Sequence, residues 1–101
     1  MNKELLEALA KPFEAYMNVS LRRAVDYIEE LGAEFDEDSC TQCEKQYIKK
    51  VSIIMNLVRD ILEQYDQLVR VNMLTDDYIM KSKTLINELR TTYHNVQSII
   101  K

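Results

Sequence analysis

The sequence predicts an all-α protein with three main helices, and three observations support that fold class. The 101 residues include one glycine and one proline, whereas sheets and loop-built sites use these residues at their turns. Hydrophobic residues make up 47% and charged residues 30%, a balance typical of a chain that folds. Apolar residues recur at steps of three and four, which is the helical period. The length suits one helical-bundle domain over residues 1–101.

The first predicted helix covers residues 2–31, where apolar side chains share one broad side. Pro12 interrupts this segment, and a proline removes a backbone donor and restrains the residue before it. We therefore expect a kink or a new helix start near Lys11. Gly32 follows the last periodic residue, Leu31, at a position where a left-handed helix cap is common.

The second predicted helix covers residues 39–71 and begins beside the only two cysteines, Cys40 and Cys43. Ser39 and Gln42 have the spacing of a capping box, in which two side chains satisfy backbone donors reciprocally. We interpret both cysteines as part of the first helical turn. A reactive thiol or a disulfide is one alternative. A metal site shared between subunits is another, because zinc needs four ligands and one chain supplies too few.

The second helix carries a heptad stripe and one further apolar row. Val51, Val58 and Tyr65 occupy the a positions, and the d positions between them are apolar as well. A row at the e positions makes the apolar face too wide for one partner helix. The third predicted helix, residues 75–101, repeats the stripe and is widened on its g side instead. The e row consists of Ile48, Met55, Leu62 and Val69, and the g-side row consists of Tyr78, Leu85 and Ile99.

The heptad register continues without interruption between these two helices, so one continuous helix over residues 40–101 is an alternative. Such a helix would be roughly 90 Å long, at about 1.5 Å per residue. Local chemistry favours a break instead. Thr75 is a suitable N-cap before two aspartates, and Leu74 and Ile79 have the spacing of a hydrophobic staple. Asn72 tolerates the left-handed conformation that a helix end requires. The sequence therefore predicts an antiparallel heptad hairpin within an elongated bundle.

The two widened rows point to a function in protein assembly. In an antiparallel hairpin the e rows and the g rows face opposite flanks, so both flanks carry apolar surface. The first helix can cover one flank, and exposed apolar surface usually marks a protein contact. We expect a non-enzymatic interaction or assembly module that acts as a homo-oligomer or with a helical hetero-partner. A small regulator that docks on a larger enzyme is an alternative.

Other classes of function receive little support from the composition. The net charge of −4 argues against wrapping the phosphates of nucleic acid, which needs a basic surface. No apolar run approaches the length of a membrane span, and the first residues lack the features of a signal peptide. We therefore expect a cytoplasmic protein. One glycine cannot build a phosphate loop, and no metal site, cofactor or small-molecule substrate is indicated.

The short segment from Arg90 to His94 suggests a different function. Arg90 and His94 are four residues apart and share a helix face outside the heptad seam. The five residues from Arg90 to His94 resemble the Arg…His motif of HEPN ribonucleases, helical domains that place an arginine and a histidine at a dimer cleft. That family usually has four to six residues between the two, and this chain has three. The resemblance implies a ribonuclease or a toxin–antitoxin component that would use Arg90 and His94.

Overall fold

The computed structural model describes residues 2–34 and 41–100, and describes only the backbone of residues 33–34 and 41–44. Within these ranges the chain is helical apart from short connections, so the all-α class is confirmed. The helices form an elongated bundle with extents of 59 × 21 × 18 Å. None of the described helices combines the length and the apolarity that crossing a membrane requires. The helices are α1 (Lys3–Glu34), α2 (Thr41–Arg70) and α3 (Asp76–Ile100).

The connection between α2 and α3 confirms the predicted hairpin. Asn72 has a positive φ of 59°, the left-handed conformation expected there. Its N–H donates to the carbonyl oxygen of Val69 at 3.1 Å, and the N–H of Met73 donates to that of Leu68 at 2.9 Å. These two bonds form a Schellman motif, which satisfies carbonyls at a helix end. The chain therefore reverses after α2, and the alternative of one continuous helix over residues 40–101 is wrong.

The start of α3 follows the predicted capping pattern. The N–H of Tyr78 donates to Oγ1 of Thr75 at 3.2 Å, and the N–H of Ile79 donates to the Thr75 carbonyl at 3.0 Å. Two acidic residues occupy the first turn, where the helix dipole favours negative charge. Leu74 is buried and Ile79 is half-buried against the same core, as a hydrophobic staple requires. Thr75 is therefore the N-cap of α3.

A carboxylate from α1 completes this cap. Oε2 of Glu14 accepts hydrogen bonds from the backbone N–H and from Oγ1 of Thr75, both at 2.8 Å. In a capping box a glutamate at the third helical position would reach back to the cap, but that position holds Tyr78. Glu14 supplies the carboxylate from 61 residues away instead. The same interaction therefore caps α3 and fastens α1 to the turn.

The core lies between the a and e rows of α2. Val58, at an a position, and Met55, at an e position, are almost fully buried. Three of the four d residues are only half-buried, so the most buried side of α2 is shifted from the a/d seam toward e. This shift follows from the presence of two neighbouring helices, since a single coiled-coil partner would bury a and d most. The half-buried d residues are Tyr47, Ile61 and Leu68.

Helix α1 runs through both its proline and its glycine. It continues through Pro12, so a new helix start at this point is wrong, while a kink remains a prediction. Gly32 lies inside α1 and does not have positive φ, so the predicted left-handed cap is wrong. The hydroxyl of Tyr47 donates to the carbonyl of Leu31 at 2.8 Å. A side chain from α2 therefore binds a carbonyl in the last turns of α1, where a cap would otherwise be needed.

The cysteine prediction cannot be compared with the described structure. Ser39 and Cys40 lie outside the described residues, and for Cys43 the backbone alone is described, within α2. The capping box at the start of α2 therefore stays a prediction. The same holds for the two alternatives, a reactive thiol and a shared metal site.

Removing the carboxylate of Glu14 should weaken the contact between α1 and the turn before α3. We expect Glu14→Ala to lower the free energy of unfolding by about 1–3 kcal/mol, because two donors of Thr75 lose their acceptor. Urea denaturation measures this change. Glu7→Ala, at an exposed glutamate of the same helix, is the control and should change it by less than about 0.5 kcal/mol. Equal losses in the two variants would contradict this role of Glu14.

Candidate protein-interaction surface

Two tyrosine hydroxyls connect α1 with α2. Tyr16 donates to Oε1 of Gln64 at 3.2 Å near one end of the pair, and Tyr47 donates to the Leu31 carbonyl at 2.8 Å near the other. The two contacts show that the helices run antiparallel along their shared length. An aromatic ring with a polar tip suits this position, because the ring contacts apolar neighbours while the hydroxyl binds at the edge of the interface.

Two more tyrosine hydroxyls connect α3 with the other helices. Tyr78 donates to Oδ1 of Asn18, on α1, at 2.9 Å. Tyr65, on α2, lies 3.0 Å from Oγ of Ser82, and that Oγ donates to the Tyr78 carbonyl at 2.8 Å. Since a serine hydroxyl has one hydrogen, Tyr65 is the donor in its pair with Ser82. Tyrosine hydroxyls therefore link each of the three pairs of helices.

The predicted contact row on α2 is divided between core and surface. Met55 and Leu62 are buried in the core of this chain, with only 1% and 6% of their surface exposed. Val69 is half-buried against the same core. Ile48, close to the start of α2, is 40% exposed. The middle of this row therefore contacts the chain's own helices, and Ile48 is the member that faces outward.

The predicted contact row on α3 is divided in a similar way. Tyr78 and Leu85 are half-buried, and both line a shallow groove of about 440 Å³ against α1 residues that include Leu21 and Val25. Ile99, near the end of α3, is 80% exposed. Helix α1 therefore covers the beginning of this row and leaves its last member open.

A row of exposed apolar residues lies on α1, in the segment whose apolar side chains were predicted to share one broad side. Leu5, Leu9, Phe13 and Tyr16 follow one another at steps of four, four and three, so they share one face of the helix. All four are exposed large hydrophobic residues, with Leu5 53% and Leu9 46% exposed. We call these four residues the α1 stripe.

The α1 stripe borders an open groove between α1 and the end of α2. The groove has a volume of about 720 Å³ and is apolar for most of its lining. Phe13 and Tyr16 belong both to the stripe and to the groove, so the two features form one continuous surface. We call this cavity the α1–α2 groove. Its lining residues are Pro12, Phe13, Tyr16, Gln64, Gln67, Leu68, Arg70 and Val71.

Sequence reasoning missed this surface, although one signal pointed toward it. The breadth of the apolar side of α1 was that signal, because one helix cannot bury so wide a face against a hairpin. Ile53 and Leu57, at c and g positions of the α2 heptad, are also large, exposed and apolar, but they do not line the groove.

The arginine and the histidine of the ribonuclease-like segment have different surroundings. Nη1 of Arg90 donates to Oδ2 of Asp66 at 3.2 Å, and Nη2 donates to Oδ1 of the same carboxylate. The hydrogen bond to Asp66 raises the pKa of Arg90 above its usual value. His94 is exposed, and its ring stands edge-on to that of Tyr93 with centroids 5.5 Å apart. Arg90 therefore links α3 to α2 through a bidentate pair with Asp66.

Among the described residues, the side chains that could bind a metal ion do not form a cluster. Within residues 2–34 and 41–100, no three side chains from histidine, cysteine, aspartate and glutamate come together as metal ligands. Comparison of the chain with family models, with curated proteins and with solved structures gave no match. The α1 stripe and the adjoining groove form a continuous apolar surface among the described residues.

The position of Tyr78 predicts a response of the bundle to alkaline pH. Burial, followed by the charge of Glu14 and then of Tyr65, raises the pKa of Tyr78 to about 12. In the unfolded chain a tyrosine has a pKa of roughly 10. Below that pH, Tyr78 is neutral in both states and its full contribution to the stability of the fold is present. This contribution is lost as pH rises through the folded-state value.

We therefore expect the free energy of unfolding to fall between pH values of about 10 and about 12, and Tyr78→Phe to make this fall shallower. Urea denaturation at a series of alkaline pH values measures both slopes. At neutral pH the variant should also lose about 1 kcal/mol with the hydrogen bond to Asn18. Identical alkaline slopes for the two proteins would contradict the assigned pKa of Tyr78.

Proposed function

We propose that this chain is a non-enzymatic assembly module that self-associates through the α1 stripe and the α1–α2 groove. The observation that carries the proposal is the continuity of this surface. Four large apolar side chains at helical spacing adjoin an apolar groove of about 720 Å³. Contiguous exposed apolar surface of this kind usually marks a protein contact.

The four side chains of the α1 stripe are about half exposed, so association can bury more of their apolar surface. Full burial of a leucine or phenylalanine side chain contributes about 1.5–3 kcal/mol, so completing the burial of Leu5 or Leu9 contributes roughly half of that. The stripe repeats this gain four times along one helix face. A charged residue at the centre of the stripe would instead have to be desolvated on association, which is unfavourable.

The α1 stripe is a different surface from the heptad rows on α2 and α3 that the sequence indicated. Met55 and Leu62 are buried in the core of the chain, while Ile48 and Ile99 remain exposed. Because α2 begins and α3 ends at the side of the bundle opposite the turn, Ile48 and Ile99 lie far from the α1 stripe. They define a separate surface, which an experiment can compare with the stripe.

Sedimentation equilibrium over a wide concentration range, with reductant present, tests self-association. We expect a dimer or a larger species for the unmodified chain. Leu9→Glu should raise the dissociation constant by at least about tenfold, which corresponds to about 1.4 kcal/mol. Met80→Glu, at an exposed methionine on α3, is the matched control and should leave association unchanged.

Two results would contradict the proposed function or its location. A mass equal to that of one chain at every concentration would exclude self-association and favour a regulator that docks on another protein. Loss of association in Ile99→Glu with no effect of Leu9→Glu would move the interface to the end of the bundle opposite the turn. Circular dichroism of each variant would verify that helix content is unchanged.

A further inference from the structure

We propose that the α1 stripe of a second copy lies antiparallel to α1 and enters the α1–α2 groove, with a two-fold axis at Leu9. This inference rests on the proposed function, since it specifies the geometry of the self-association. It names the occupant of the groove as the same segment that borders it. The groove and the stripe of each copy would then be covered together.

The symmetry of the stripe favours a second copy as the occupant. Leu5 and Phe13 are both four residues from Leu9, about one helical turn on either side of it. A two-fold axis at Leu9 therefore sets Leu5 against Phe13 of the partner subunit and repeats the same contact on the other side. Isologous dimers need such self-complementary patches, in which each patch contacts its own copy.

The lining of the groove indicates where a side chain of the second copy would lie. Phe13 and Tyr16 line the α1 side of the groove, while Leu68 and Val71 line the α2 side. A residue that meets Phe13 across the axis is therefore at the mouth of the groove. Leu5 of the partner subunit occupies that position, and leucine is an apolar side chain of suitable size for an apolar groove.

The charges agree with the same arrangement. Among the described residues that line the groove, Arg70 is the one that is charged, and Gln64 and Gln67 are neutral. A groove with this lining does not select a strongly acidic or basic partner. The four residues of the α1 stripe carry no charged side chain, so the stripe matches a groove whose lining is largely uncharged.

Single-cysteine cross-linking of the full chain tests the geometry, with both native cysteines replaced by serine. We expect Leu9→Cys to form an intersubunit disulfide under mild oxidation, because the axis brings the two copies of this position together. Leu5→Cys is the matched control. Two copies of residue 5 would lie roughly 12 Å apart along the helices, beyond the reach of about 7 Å between bridged Cα atoms. A mixture of Leu5→Cys and Phe13→Cys chains should cross-link, and neither should do so alone.

The outcomes separate this inference from the proposed function. Equal cross-linking of Leu5→Cys and Leu9→Cys would indicate a parallel pair and overturn the antiparallel geometry, while self-association stands. A further outcome is a dimer by sedimentation although neither the Leu9→Cys chains nor the mixture cross-links. This result would overturn the assignment of the groove. Absence of any dimer in the serine background and in the unmodified chain would overturn both proposals.

Discussion

The arrangement of the helices depends on the chain reversal between α2 and α3. Without it, the unbroken heptad register would favour one long rod whose apolar rows could be covered only by other chains. The left-handed conformation of Asn72 ends α2, and the hydroxyl of Thr75 begins α3 three residues later. Once the chain reverses here, the two apolar rows lie side by side and can share a core with α1.

A short segment of α1 determines which surface stays open. Glu14 and Asn18 are four residues apart on one face and bind Thr75 and Tyr78, at the beginning of α3. Tyr16 lies between them in sequence and binds α2. These contacts fix the middle of α1 over the turn. The first turns of α1 then continue to the end of the bundle, where one of their faces meets no other described helix.

The features predicted correctly from the sequence are those determined by local chemistry. The break at Asn72 and the cap at Thr75 follow from residues that lie next to each other, and the helix count follows from the apolar period. The position of the core toward the e row of α2 depends on where α1 lies, and no local pattern specifies that. Gly32 shows the same limit, because α1 continues past it to Glu34 and Tyr47 of another helix binds the carbonyl of Leu31.

The exposed apolar surface was hardest to predict, for a related physical reason. The α2 pair of Met55 and Leu62 is as apolar as the α1 pair of Leu5 and Leu9. Only the three-dimensional arrangement of the helices decides which pair is buried. The tyrosine hydroxyls and the Glu14 carboxylate select that arrangement through contacts between residues far apart in sequence. Counting apolar rows therefore indicated that an open face exists but not that α1 carries large exposed apolar residues.

Hydrogen–deuterium exchange at two widely separated protein concentrations would test the central claim most directly, that the open face of α1 and the end of α2 is covered by assembly. We expect peptides spanning residues 3–16 and 64–71 to exchange more slowly at high concentration, with little change over residues 87–100. Protection that does not depend on concentration, or that increases only at the end of α3, would contradict the account.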